Sequence, residues 1–103
     1  MVDRDLVIHP GEILMEEFLR PHGLTPSGFA SRLDLPANRF TAIVNGERGI
    51  SSETAVLLAA AFGTTEAFWL NLQSQYDLEQ ARASVSPERV RKARDLHNEF
   101  EAA

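Results

Sequence analysis

The sequence predicts an all-α fold of six helices. No stretch alternates apolar and polar residues for long, which argues against β-strands. Glycine and proline divide the 103 residues into helix-length pieces, and within these pieces apolar residues recur three and four positions apart. A chain of this length is one ordinary domain, and with 44% hydrophobic residues it can bury a core of its own.

The first helix is predicted from about residue 11 to residue 20. Pro10 opens it, and the Pro-His-Gly sequence at residues 21–23 ends it. Leu14 and Phe18 are four positions apart, so they fall on one face of the helix. We expect that face to enter the core.

The second and third helices are predicted to form a helix-turn-helix. Thr25 is the expected N-cap of the second helix, with Pro26 in its first position. A short turn at residues 34–35 leads to a third helix over residues 36–45, which Gly46 ends. The predicted inward-facing residues of this pair are Phe29, Ala30, Leu33, Phe40, Ile43 and Val44.

Three further helices are predicted after the helix-turn-helix. The fourth begins at Ser51 or Ser52 and ends at Gly63, the fifth follows Thr65 as its N-cap, and the sixth begins at residues 86–88. Their apolar stripes are Ala55, Leu58, Ala59 and Phe62 in the fourth helix, Phe68, Trp69, Leu72 and Tyr76 in the fifth, and Val90, Ala93, Leu96 and Phe100 in the sixth.

The sixth helix is less hydrophobic than the others. We therefore expect it to pack weakly on the domain, or to pack only within an oligomer. On this basis we expect the chain to divide into a helix-turn-helix domain at residues 1–83 and a C-terminal helical extension at residues 84–103.

The net charge of −5 is distributed unevenly along the chain. Residues 1–19 carry five acidic residues against one arginine, and residues 49–81 carry four acidic residues and no lysine or arginine. Residues 20–48 carry four arginines against two acids, and residues 82–103 have an excess of one positive charge. A polyanion responds to the local field, so the arginine-only segment is the candidate DNA-binding region.

The exposed start of the third helix is the predicted base-reading element. In a helix-turn-helix, this end enters the major groove because the second helix crosses the first steeply. Asn pairs with adenine, Arg pairs with guanine, and Ala or the Thr methyl group contacts the thymine methyl group. The predicted base-reading residues are Ala37, Asn38, Arg39, Thr41 and Ala42. The predicted phosphate-binding residues are Ser27, Arg32, Asn45 and Arg48. Two short amphipathic helices joined by a tight turn also occur in all-α domains that bind no DNA, so the spacing alone leaves both interpretations open.

Several function classes have no support in the sequence. The chain has no cysteine, which excludes a disulfide scaffold and any cysteine-based metal site, and its three histidines are scattered. No nucleophile motif or glycine-rich phosphate loop occurs, so we expect neither enzyme activity, nor a cofactor, nor a small-molecule substrate. The longest apolar run, residues 55–62, is far shorter than the ~20 residues of a membrane helix, and no signal peptide is visible. We expect a cytoplasmic protein.

Five segments of the sequence resemble the HigA-type antitoxins. The matching segments are His-Pro-Gly-Glu-Ile-Leu at 9–14, Gly-Leu-Thr at 23–25, residues 43–51, residues 62–73 and Tyr-Asp-Leu at 76–78. These antitoxins, also called plasmid-maintenance antidotes or virulence-associated protein I, belong to the phage-repressor-like (XRE/Cro) helix-turn-helix proteins. The resemblance extends over about residues 8–83, and the combination of the Phe-Trp-Leu-Asn-Leu-Gln block with the His-Pro-Gly-Glu opening is specific to this family.

The resemblance implies a fold and three partners. The fold is a five-helix lambda-repressor-like domain, here with an extra C-terminal helix. The partners are a second copy of the chain, a palindromic operator in its own promoter, and a HigB toxin, which is a RelE-like enzyme that cleaves mRNA. Dimerisation is expected through the fifth helix, with Phe68, Trp69, Leu72 and Tyr76 at the interface. The acidic segment 1–19 is a candidate contact for a basic toxin.

Two positions depart from the family pattern. Pro26 stands where the family often has a glutamine used on DNA, and Asp34 stands where the turn often has glycine. Asp tolerates a left-handed backbone better than most residues, so the turn is expected to survive. The alternatives are a solitary regulator without a toxin and an interaction module that has lost DNA binding. If Arg39 reads a base, Arg39→Ala weakens operator binding and leaves the thermal melt unchanged.

Overall fold

Residues 8–103 are described by a computed structural model, in which every regular element is helical. The helices are α1 (Pro10–Ile13), α2 (Pro26–Arg32), α3 (Asn38–Val44), α4 (Ser52–Phe62), α5 (Glu66–Ser84) and α6 (Pro87–Ala102). A π-helical segment, Leu14–Leu19, and a 3-10 turn, Arg20–His22, continue α1. The predicted all-α fold with six helices is confirmed, and no helix among residues 8–103 is long and apolar enough to cross a membrane.

Hydroxyl side chains cap the start of four helices. In each case the hydroxyl oxygen accepts a hydrogen bond from the backbone N–H three residues later, which satisfies a donor that the helix itself leaves free. The four capping residues are Thr25, Ser51, Thr65 and Ser86. At the other end, Gly46 (φ +77°) and Gly63 (φ +70°) follow α3 and α4 in the left-handed conformation. The helix boundaries predicted from these residues are confirmed.

Helix α3 begins later than predicted. Its first residue is Asn38 rather than Pro36, because residues 36–37 form a turn in which the Pro36 carbonyl accepts a hydrogen bond from the Arg39 N–H at 3.0 Å. Ala37 already has helical backbone angles, so the difference is confined to the entry of the helix.

The first helix buries a residue that the α-helical pattern does not identify. Leu14 and Leu19 are both fully buried, whereas Phe18 is only half-buried. In the π-helical segment the Arg20 N–H donates to the Met15 carbonyl, five residues earlier. This wider turn aligns residues five apart, which places both leucines against the core.

The core is formed by residues of the first helix, α2 to α5 and the segment between α3 and α4. Its buried apolar members are Leu14, Leu19, Phe29, Ala30, Phe40, Ile43, Ile50, Ala55, Leu58, Ala59 and Trp69. Helix α6 contributes none of them, since all of its residues are exposed. The molecule is accordingly long, 57 × 28 × 23 Å, with a radius of gyration of 18.0 Å, against about 13 Å for a compact chain of this length.

Candidate nucleic-acid interface

The turn between α2 and α3 has the hydrogen-bond pattern of a Schellman motif. The Leu35 N–H donates to the Ala30 carbonyl at 2.9 Å and the Asp34 N–H donates to the Ser31 carbonyl at 3.1 Å. Asp34 has φ +56° and is the only residue other than glycine with positive φ among residues 8–103. The expectation that Asp34 adopts the left-handed conformation is confirmed, and this turn sets the direction in which α3 leaves α2.

The inner face of α3 packs against α2 and leaves the first turn of α3 at the surface. Phe40 and Ile43 are fully buried, and the rings of Phe29 and Phe40 are 4.7 Å apart. Ala30 of α2 also has no exposed surface, and its small side chain allows the helices to pack closely.

Two of the predicted base-reading residues, Ala37 and Asn38, are exposed. Thr41 and Ala42 are half-buried, and the Thr41 hydroxyl donates to the Ala37 carbonyl at 3.3 Å. The Asn38 side chain makes no hydrogen bond to the part of the chain that the structure describes. Its amide is therefore the one side chain of this turn that offers both a donor and an acceptor to a base edge.

Arg39 occupies a different environment from the one expected of a base-reading residue. Its Nη2 atom donates to Oε1 of Glu53 at 3.0 Å and to Oγ1 of Thr54 at 3.1 Å, and only 18% of its side chain is exposed. Thr54 is itself buried in the first turn of α4. Arg39 thus joins the start of α3 to the start of α4, and this geometry gives no support to the predicted contact with guanine.

The four predicted phosphate-binding residues are all exposed, at the ends of α2 and α3. Ser27 and Arg32 lie in the first and last turns of α2, Asn45 is the C-cap of α3, and Arg48 follows shortly after it. No side-chain hydrogen bond within residues 8–103 engages any of the four. As exposed polar side chains without such hydrogen bonds, they remain candidate contacts for the DNA backbone.

The His-Pro-Gly-Glu segment places the first helix directly against the end of α3. A Cβ atom on Gly11 would overlap the backbone carbonyl of Ile43, so only glycine permits this contact. His9 is the N-cap of α1, and its Nδ1 atom accepts a hydrogen bond from the Gly11 N–H at 2.9 Å. Burial lowers the pKa of His9, which outweighs the opposing effect of Asp77 and favours the neutral imidazole that this hydrogen bond requires.

Helix α5 holds the segment that follows α3. The Ile50 N–H donates to Oε1 of Gln73 at 2.7 Å, and the Gln73 Nε2 atom donates to Oδ1 of Asp77 at 2.9 Å. A Cβ atom on Gly49 would lie 2.9 Å from the Gln73 amide, so the two segments are in close contact. One turn further along α5, the Tyr76 ring contacts the His9 ring edge-on, with centroids 4.7 Å apart.

The side chains that hold α3 and the segment after it in place were missed by sequence reasoning; they are Gln73, Asp77, Glu53 and Thr54. The first two lie within the segments that carry the family resemblance, where only apolar and aromatic residues had been assigned to an interface. The last two lie in the first turn of α4, whose pattern indicated only a helix start.

The predicted dimer-interface residues lie in two different environments. Trp69 has no exposed surface, and its Nε1 atom donates to the Thr64 hydroxyl at 2.7 Å. It belongs to the core of the protomer and cannot contribute area to an interface, so its assignment to the interface was wrong. Phe68 is 38% exposed, and Leu72 and Tyr76 are half-buried, so these three side chains keep accessible surface on α5.

The acidic segment 1–19 lies partly outside the described residues, which begin at Ile8. Within the described part Glu12 and Glu17 are exposed, and Glu16 forms an ion pair with Arg20 at 2.7 Å. Among residues 8–103, no group of three or more His, Asp or Glu side chains is arranged to hold a metal ion.

Comparison with known proteins gives consistent results for sequence and structure. The chain is 46% identical over 74 residues to virulence-associated protein I of Dichelobacter nodosus, a match that covers 72% of this chain and 68% of that protein. It superposes with a TM-score of 0.77 on a Pseudomonas aeruginosa protein crystallised with its 18-bp operator DNA; the two are 40% identical, and the match covers 82% of this chain and 91% of that one.

A second solved structure is the antitoxin HigA of Pseudomonas aeruginosa with the higBA promoter. Its TM-score is 0.71 and its sequence identity is 40%, over 78% of this chain and 96% of that chain. The sequence matches no profile among the established protein families that were compared.

Proposed function

Because the chain belongs to the HigA family of helix-turn-helix antitoxins, we propose that it is a transcriptional repressor that binds an operator in its own promoter. The observation that carries this proposal is the exposed first turn of α3, held in place by α1, α4 and α5. The two Pseudomonas aeruginosa neighbours were solved with operator or promoter DNA, and the identity of 40% to each extends over most of their chains.

The first turn of α3 enters the major groove and reads the operator. Asn38 forms the bidentate contact with an adenine, while Ala37, Thr41 and Ala42 allow close approach and contact thymine methyl groups. The backbone phosphates are bound by residues at the ends of α2 and α3, namely Ser27, Arg32, Asn45 and Arg48. Arg39 acts as a positioning residue for this turn through Glu53 and Thr54, in place of the base-reading role first predicted for it.

The repressor acts as a homodimer on a palindromic operator. Symmetric half-sites lie about 34 Å apart, so two copies of α3 must be held at that spacing. The exposed part of Phe68, together with Leu72 and Tyr76 on α5, supplies apolar area for this contact. The dimer requirement also follows from charge, since residues 20–48 carry only a small positive excess and a single copy would bind DNA weakly.

The second partner is a HigB-like toxin that cleaves mRNA, which the repressor neutralises in the cytoplasm. Family membership supports this partner, and so does the net charge of −5, because an enzyme that handles RNA presents a basic surface. Glu12 and Glu17 on the exposed side of the first helix are candidate contacts for it. A small basic protein encoded beside this gene would distinguish an antitoxin from a solitary regulator.

Asn38→Ala tests the base-reading assignment. It is expected to lower operator affinity about tenfold, since a good bidentate base contact contributes about 1–3 kcal/mol. Its thermal melt should match that of the unsubstituted protein, because Asn38 is exposed. Asn98→Ala, an exposed asparagine on α6, is the matched control and should leave affinity unchanged.

Fluorescence anisotropy with the operator and with a scrambled duplex of equal length separates the possible outcomes. Loss of affinity on the operator alone supports base reading by Asn38, whereas equal loss on both duplexes, or no loss, contradicts it. Absence of binding to promoter DNA even at low salt would instead favour an interaction module, a function consistent with Pro26 at the position where a DNA-contacting side chain is common in the family.

A further inference from the structure

Helix α6 presents an apolar stripe that nothing in the described chain covers. Val90, Leu96 and Phe100 are 41%, 50% and 71% exposed, and together with Ala93 they lie on one side of the helix. Three large apolar side chains repeated along about three turns of an exposed helix are typical of a surface that binds another helix.

The charges of α6 are segregated along its length. The first half carries Arg89, Arg91, Lys92 and Arg94, and the second half carries Asp95, Glu99 and Glu101. Glu88 is the single acid of the first half, with its carboxylate 3.9 Å from the Lys92 ammonium. The last turn of α6 carries Glu99 and Glu101 and no basic residue, which is unfavourable at the negative end of the helix dipole, whereas the first turn holds Glu88 beside Arg89.

An antiparallel partner of the same sequence removes this conflict. It brings the acidic half of one helix beside the basic half of the other and also aligns the two helix dipoles favourably. A parallel partner would set like charges side by side. The charge pattern thus selects both the occupant, a second copy of α6, and its direction.

We propose that α6 forms an antiparallel pair with α6 of a second copy of this chain. Full overlap of the two helices places Val90 opposite Phe100 of the partner subunit and Ala93 opposite His97 of the partner subunit. In this arrangement Lys92 and the partner's Glu99 lie on the same flank of the apolar stripe, so opposite charges meet along its edge. This contact is separate from the α5 contact proposed above and does not depend on DNA binding.

Cysteine cross-linking tests the pair directly, because the natural sequence contains no cysteine. Val90→Cys and Phe100→Cys are made as separate full-length variants, mixed under reducing conditions to allow exchange, and then treated with a mild thiol oxidant. The mixture should give several times more covalent dimer than either variant oxidised alone. Val56→Cys, a similarly exposed position (52%) on α4, gives the background level.

Two outcomes would overturn the proposal. If Val90→Cys alone cross-links as efficiently as the mixture, the helices are parallel; if the mixture stays at the Val56→Cys level, α6 does not pair. Charge reversal gives an independent check: Lys92→Glu with Arg94→Glu in the Val90→Cys chain should lower the yield about tenfold. Adding Glu99→Lys and Glu101→Lys to the Phe100→Cys chain should restore the cross-linking yield. If the first reversal leaves the yield unchanged and the second does not raise it, the proposed register is wrong.

Operator binding by the same variants in reducing buffer provides a separate readout. None of the substituted residues lies on the helix-turn-helix, so loss of cross-linking with intact DNA binding refutes the α6 pair alone, and the reverse result refutes the proposed function alone.

Discussion

Helices α2 and α6 begin with the same local signal and end in opposite environments. Each has a hydroxyl N-cap followed by proline in the first position, Thr25-Pro26 in one and Ser86-Pro87 in the other. Helix α2 buries Phe29 and Ala30, whereas α6 buries nothing. A capping signal therefore specifies where a helix starts, and contacts from distant parts of the chain decide whether its apolar face is buried.

The helix-turn-helix receives three such distant contacts. Gly11 packs on the end of α3, Arg39 joins α3 to α4, and Gln73 binds the segment after α3. No contact of this kind reaches α6 within the described chain. We therefore expect substitutions in the first region to change stability and matched substitutions in α6 to leave it unchanged.

The largest difference is expected between two phenylalanines. Phe40→Ala removes a fully buried ring from α3 and should lower the free energy of unfolding by about 3–5 kcal/mol. Phe100→Ala removes a ring that is 71% exposed and should cost less than about 0.5 kcal/mol. Urea unfolding at low protein concentration measures both, and similar losses at the two positions would mean that α6 is part of the cooperative core.

Gly11→Ala should cause the second-largest loss of stability. The added methyl group overlaps the Ile43 carbonyl, so the first helix must move away from α3, at a cost of about 3 kcal/mol. Operator affinity should fall as well, since α3 loses its support. Gly28→Ala in α2 is the milder comparison: its methyl group would lie 2.8 Å from Oγ1 of Thr25, the N-cap of α2, and a side-chain oxygen can shift where the Ile43 carbonyl cannot. Gly28→Ala should therefore lower the melting temperature less than Gly11→Ala does; an equal loss would show that helical glycine itself is required.

Arg39→Ala should lower the free energy of unfolding by about 2 kcal/mol, because it removes hydrogen bonds of a charged group to Glu53 and Thr54. A lower thermal midpoint contradicts the base-reading role, for which the melt stays unchanged. Arg32→Ala, an exposed arginine on α2, is the control and should weaken DNA binding on all sequences while its melt stays constant. Glu53→Gln leaves the hydrogen bond from Arg39 to Thr54 in place, so its loss of unfolding free energy should lie between those of Arg39→Ala and Arg32→Ala.

The smallest effect on stability is expected from His9, and it should appear as a pH dependence of the thermal midpoint. Burial lowers the folded-state pKa of His9, so the unfolded chain takes up a proton first as the pH falls. The stability contributed by His9 is therefore complete above about pH 6.5 and is lost as the pH decreases through the folded-state pKa. His9→Asn keeps a capping oxygen without titrating, so its thermal midpoint should change less between pH 7.5 and 5.5. Equal slopes for the two proteins would exclude His9 as the source.

Most helix boundaries could be predicted because they depend on nearby residues. The caps at Thr25, Thr65 and Ser86 and the stop at Gly46 each involve atoms within a few positions in sequence. The π-helical turn could not be predicted in this way. It brings Leu19 into the core through packing against the rest of the domain, which is a tertiary effect that an α-helical periodicity does not contain.

The exposure of the start of α3 was predictable from the sequence, and the contacts of its individual side chains were less so. The spacing of the helix-turn-helix identified Ala37 and Asn38, which are exposed. It could not show that Arg39 is bound by Glu53, because that ion pair joins residues on different helices. Trp69 was misassigned for a related reason, since an apolar stripe on α5 does not distinguish the side facing the core from the side facing solvent.

The length of the molecule affects how its mass will be measured. A chain of 11.4 kDa with a radius of gyration of 18.0 Å diffuses more slowly than a compact protein of the same mass. On a size-exclusion column calibrated with globular standards, a monomer will elute early and resemble a larger species. Light scattering and sedimentation equilibrium report mass independently of shape, and the distance distribution from small-angle scattering of a monomer should show a tail reaching about 57 Å.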